Sequence, residues 1–91
     1  MHYVYVLRSL RDGMLYTGPT SNIRRRLKEH QAGKVASTRH RRPLVLAFSE
    51  SFETRKEALA RENYFKTAEG GALKQRLAKE AAEAPPSAPA C

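Results

Sequence analysis

The chain has 91 residues, enough for one small domain with a single modest core. Hydrophobic residues make up 41% and charged residues 29%, an ordinary globular balance, and no apolar run approaches the roughly 20 residues of a membrane-spanning helix. The net charge of +8 is concentrated: Arg24, Arg25, Arg26, Lys28, Lys34, Arg39, Arg41 and Arg42 face one carboxylate, Glu29, so residues 24–42 carry +7 of the total. A dense cationic surface suits a polyanion, because each phosphate it neutralises releases condensed counterions. Nucleic acid is therefore expected ahead of a merely solvated basic face. An anionic membrane is disfavoured, since few bulky apolar residues accompany the cations. The sole cysteine, Cys91, has no partner for an internal disulfide, and no secretory-signal pattern is evident at the start, so a cytoplasmic location is expected.

Tyr3 to Leu7 is a β-branched and aromatic run, apolar on both alternating sets, and predicts a strand covered on both faces. Asp12-Gly13 marks a turn, and Met14 to Gly18 reads as the returning strand of a hairpin. Thr20, Ser21 and Asn22 are candidate caps for a helix from about Asn22 to Gln31, with Gly33 as its stop. Residues 34–42 are polar, basic and aperiodic, which predicts a loop. Pro43 then opens a third strand at Leu44 to Phe48. Thr54 and Glu57 form a capping box for a second helix to about Thr67. Gly70-Gly71 is expected to break that helix, with a third over residues 72–83. The sequence divides into a domain over residues 1–83 and a Pro/Ala-rich disordered tail over residues 84–91. The order β-β-α-β-α-α predicts an α+β domain with a three-stranded sheet flanked by helices.

Two helical faces carry polar residues where apolar ones are expected. Ile23, Arg26, Leu27 and His30 share one face of the first helix, which turns Arg26 and His30 toward protein and Arg24, Arg25 and Lys28 toward water. An inward arginine carries a desolvation cost and needs a partner: either a structural ion pair or an anionic ligand. On the second helix, Glu62 falls among Ala58, Leu59 and Phe65, with Lys66 one turn on as an ion-pair partner or a phosphate contact. A single carboxylate of this kind can hold a hydrated Mg²⁺ or Mn²⁺ ion, which keeps several waters and uses substrate phosphate oxygens.

Tyr3-Val4-Tyr5, Tyr16-Thr17-Gly18, Arg26 with His30, and the helix around Ala58-Leu59-Ala60-Arg61-Glu62 occur in an order that resembles the GIY-YIG nuclease superfamily, over about Tyr3 to Lys66. The chain is most similar to its small stand-alone bacterial members, with Tyr3, Val4, Thr17 and Pro19 departing from the pattern that gives the family its name. The resemblance implies a site of Tyr5, Tyr16, Arg26, His30 and Glu62 converging on one concave surface. In it, Tyr5 helps activate water, Tyr16 lines the site, Arg26 binds the scissile phosphate, His30 assists proton transfer, and Glu62 holds one divalent ion. Gly18, ending its strand, would let backbone approach the substrate closely. It further implies hydrolysis to 5′-phosphate and 3′-hydroxyl ends.

The function expected from residues and resemblance together is a metal-dependent endonuclease on nucleic acid, DNA ahead of RNA. Arg24, Arg25, Lys28, Lys34, Arg39, Arg41, Arg42 and Lys66 are its expected phosphate contacts. No recognition module is evident in the chain, so selectivity would follow the shape of the substrate or come from a partner protein. The alternatives are a nucleic-acid-binding module with little turnover and, behind it, a basic domain that binds an acidic protein.

Overall fold

Val4, Tyr5, Val6 and Leu7 are all buried, which makes their strand the middle of the sheet. The computed structural model describes residues 1–83; the expected tail lies outside the described residues. The elements are β1 (His2–Ser9), β2 (Leu15–Thr20), α1 (Ile23–Gln31), a 3₁₀ turn (Arg39–Arg41), β3 (Leu44–Phe52), α2 (Arg55–Phe65) and α3 (Ala68–Glu83). The domain is the expected α+β arrangement in the order β-β-α-β-α-α. Its sheet is antiparallel, with strand order β2-β1-β3. Being an edge strand, β2 accommodates Pro19.

Alternation along β1 divides the molecule. Tyr5 and Leu7 point to one face, where they pack with Leu44, Tyr16 and Leu27 of α1. Val4 points to the other, where it packs with Ala58 and Phe65 of α2, Phe48 and Phe52 of β3, and Leu73 and Leu77 of α3. Thus α1 covers one face, and α2 with α3 covers the other. Arg61 holds α2 to the sheet: its guanidinium donates to both Glu50 carboxylate oxygens, at 2.8 and 3.2 Å, and lies 4.6 Å from the Phe65 ring centre.

Local signals set the boundaries. Asn22 caps α1, its side chain accepting from Arg25 N, and Gly33 follows the helix at φ +77°. The capping box at Thr54 and Glu57 forms as expected. Ser9, fully buried, donates to the carbonyl of Arg41 at 2.6 Å and accepts from the amides of Arg11 and Asp12. The hairpin turn is thereby joined to the 3₁₀ turn at Arg39–Arg41, which ends a segment expected to be a plain loop.

Two expectations are corrected. β3 continues past Phe48 to Phe52, because Phe48 and Phe52 face the α2 side while Ser49 and Ser51 alternate to the other. Gly70 and Gly71 do not break a helix; the break falls at Lys66 and Thr67, and both glycines lie in the first turn of α3. A Cβ on Gly70 would lie 1.7 Å from the carbonyl oxygen of Tyr64, whereas one on Gly71 would meet nothing nearer than 3.7 Å. The two positions should respond with opposite sign. Gly70→Ala is expected to destabilise by about 3 kcal/mol, since backbone must move to admit the methyl. Gly71→Ala should stabilise by roughly 0.5–1 kcal/mol through helix propensity. Chemical denaturation of the two variants measures both.

Candidate active site

α1 delivers two polar side chains onto the buried ring of Tyr5. Arg26 Nε donates to the Tyr5 hydroxyl oxygen at 3.2 Å, and His30 Nε2 lies 2.8 Å from the same oxygen. Tyr16, half-buried, packs edge-on to His30, with ring centres 5.2 Å apart, and lies 6.3 Å from Tyr5. Tyr5, Tyr16, Arg26 and His30 are thus gathered on the α1 face. Arg26 also bonds Glu29 at 3.1 Å, a partner on its own helix.

Gly18 is explained by its neighbour across the ladder. It sits inside β2, directly across the ladder from Tyr5, and a Cβ there would lie 2.7 Å from the Tyr5 hydroxyl oxygen. The glycine makes room for the tyrosine ring.

Glu62 is placed less directly. It projects from α2, the helix packed on the Val4 face, and its ion-pair partner is Lys66 at 3.2 Å. Its side chain is 13% exposed; burial first and Tyr16 next raise the Tyr5 pKa, and the charge of Glu62 adds the smallest share. The link between Glu62 and the α1 cluster is therefore electrostatic; among the described residues it makes no hydrogen bond to the other four. No group of three or more His, Cys, Asp or Glu side chains gathers among the described residues, so any metal here would rest on one carboxylate, water and substrate oxygens.

The protonation states follow from burial. The Tyr5 pKa is raised, chiefly by desolvation; the Arg26 hydrogen bond opposes this, and the nearby Tyr16 adds to it. His30 is fully buried, and its pKa is lowered by desolvation and then by the charge of Arg26. At neutral pH the pair is phenol and neutral imidazole.

Sequence reading missed Thr38. It is fully buried, and its Oγ1 lies 2.7 Å from His30 Nδ1, so the hydrogen-bonded chain runs Arg26–Tyr5–His30–Thr38. The one ring proton of neutral His30 sets its sense: Tyr5 donates to Nε2 when Nδ1 holds the proton, and Nε2 donates to Tyr5 when it does not. An aperiodic loop gave no signal for a buried threonine. Thr38→Val is expected to cost about 1–3 kcal/mol, because it strands a buried ring nitrogen, while Thr38→Ser retains most of the stability. Side-chain ¹⁵N shifts of His30 should report one tautomer in the parent chain and a mixture in Thr38→Val.

The expected phosphate contacts divide too. Arg24, Arg25, Lys28, Lys34 and Arg39 are exposed, as is Lys66. Arg41 is held by Asp12 at 3.4 Å, and Arg42 donates to the carbonyls of Arg39 and Gln31, which makes it a C-terminal cap of α1. No helix among the described residues is long and apolar enough to cross a membrane.

A sheet of this order carries a tyrosine pair, an arginine and a histidine on one face. The family model for the GIY-YIG catalytic domain matches residues 1–76, and the chain belongs to that family. It is 54% identical over 66 residues to a UPF0213 protein of Bacillus licheniformis, covering 71% of this chain and 67% of that one. It is 47% identical over 77 residues to a UPF0213 protein of Natronomonas pharaonis, covering 84% and 88%. The solution NMR structure of the UPF0213 protein BH0048 from Bacillus halodurans is similar at a TM-score of 0.51 and 35% identity, over 84% of this chain and 83% of that one.

Proposed function

We propose that this protein is a divalent-metal-dependent endonuclease that hydrolyses phosphodiester bonds in DNA, selecting its substrate by shape more than by sequence. The observation that carries the reading is the Arg26–Tyr5–His30 cluster, in a chain whose family model is that of the GIY-YIG catalytic domain. Burial keeps Tyr5 a phenol, so a resting phenolate is not its route to basicity. A relay serves instead: as water attacks phosphorus, its proton passes to the Tyr5 oxygen while the Tyr5 proton passes to neutral His30 Nε2. Arg26, held beside Tyr5, presents its guanidinium to the charge that develops on the phosphate oxygens. Glu62 would hold one Mg²⁺ or Mn²⁺ ion, released from Lys66 or sharing it. Such an ion supplies Lewis-acid stabilisation of the leaving 3′-oxygen. Arg24, Arg25, Lys28, Lys34, Arg39 and Lys66 would track the strand, with a smaller share from Arg41 and Arg42, which are already engaged within the chain.

A second reading, a nucleic-acid-binding module with little turnover, is favoured by one feature: Glu62 lies on the helix behind the sheet and is already paired with Lys66. Labelled single-stranded, duplex, flap and branched DNA, and matching RNA, incubated with Mg²⁺, Mn²⁺ or chelator, separate the two. Metal-dependent cleavage of at least one structure supports the enzyme. Salt-sensitive binding without cleavage under any ion replaces it with the binding module.

A further inference from the structure

Near the start of β1 and the end of β2, between α1 and α2, lies a cavity of about 500 Å³. That is room for a single nucleotide-sized ligand. Arg25 and Arg26 reach it from α1 and Arg55 from α2, against one carboxylate, Glu29, which is already bonded to Arg26. Arg25 and Arg55 are exposed, and among the described residues neither side chain makes a hydrogen bond or an ion pair. Three guanidiniums around a concavity with one partnered carboxylate leave an excess of positive charge that a phosphate would relieve. Tyr3, half-buried, and Thr20, its partner across the ladder, complete the wall. Tyr3 stands where the family's name has glycine, and its ring faces the cavity. An aromatic face beside a phosphate site offers a nucleobase a stacking surface.

We infer that this cavity is a nucleotide subsite, holding the phosphate of a residue next to the scissile bond on Arg25 and Arg55, with its base against Tyr3. The inference rests on the nuclease reading for its purpose, because Arg26 belongs both to the cavity and to the Tyr5 cluster. It does not rest on that reading for its detection. Arg55 gave no signal in the sequence: on its own helix it is one exposed cation among several, and only the fold brings it beside Arg25.

The test is a titration of the ¹⁵N-labelled chain with thymidine 5′-monophosphate, thymidine and inorganic phosphate, followed by amide shifts. The nucleotide is expected to move Tyr3, Thr20 and Arg55 together and to bind at least tenfold more tightly than the nucleoside. Arg55→Gln should weaken the nucleotide several-fold and leave the nucleoside unchanged. Tyr3→Ala should weaken both, while Tyr3→Phe retains binding. Shifts confined to other surfaces, or nucleotide affinity unchanged in both Arg55→Gln and Tyr3→Ala, overturn the subsite even if the protein cuts DNA. Nucleotide binding here in a protein that cuts nothing leaves the subsite standing and removes the nuclease.

Discussion

Glu62→Gln is expected to abolish cleavage while leaving nucleic-acid binding intact or slightly tighter. Glutamine keeps the shape of the side chain but loses the charge that a hard divalent ion requires. Losing a Lewis acid from the leaving oxygen is worth several kcal/mol, on the order of 10³ in rate. The fold should be spared, because the ion pair removed is one with Lys66, whose side chain is 60% exposed. Binding is spared for a simple reason: one negative charge near the substrate is gone. Single-turnover cleavage and equilibrium binding, measured on the same preparation, separate these effects. Equal cleavage by Glu62→Gln with the same metal dependence would remove the metal assignment from this residue.

Arg26→Ala is expected to lower the cleavage rate by roughly 10²–10³-fold, the usual loss when one fixed donor to developing charge is removed. The variant also frees the Tyr5 oxygen of one of its two partners, with the other, His30, still in place. Stability should fall little. The Arg26–Glu29 pair is about a third exposed on both sides, and i,i+3 pairs of that kind contribute about 0.3–0.5 kcal/mol. Arg26→Lys should not rescue the rate fully, because an ammonium lacks the planar fork. A variant that cleaves normally but melts far lower would show instead that Arg26 is there to satisfy Tyr5.

What the sequence discloses here depends on whether the information is local. The inward face of α1 could be read from Ile23, Arg26, Leu27 and His30, and the structure puts His30 at zero exposure. The caps at Asn22, Thr54 and Glu57 could be read for the same reason: a helix start needs acceptors within a few residues. Gly70-Gly71 misled because glycine's cost in a helix, about 1 kcal/mol, was overruled by a backbone approach to Tyr64 that admits no side chain. The periodicity of α2 marks its inner face but not the side of the sheet it will cover, so the distance between Glu62 and Tyr5 was beyond reach. Arg41 and Arg42 read as free cations because their partners, Asp12 and the end of α1, come from other segments.

The facing of Tyr5 and Gly18 across the β1–β2 ladder has a consequence for how such chains vary. The two halves of the family's motif are usually spelled as separate words, yet here they are a ring and the vacancy cut for it. A methyl at position 18 and a phenol at position 5 compete for one volume, and the buried ring has nowhere to swing. Substitutions at the two sites should therefore be strongly non-additive, with a change at one tolerated only alongside a smaller residue at the other.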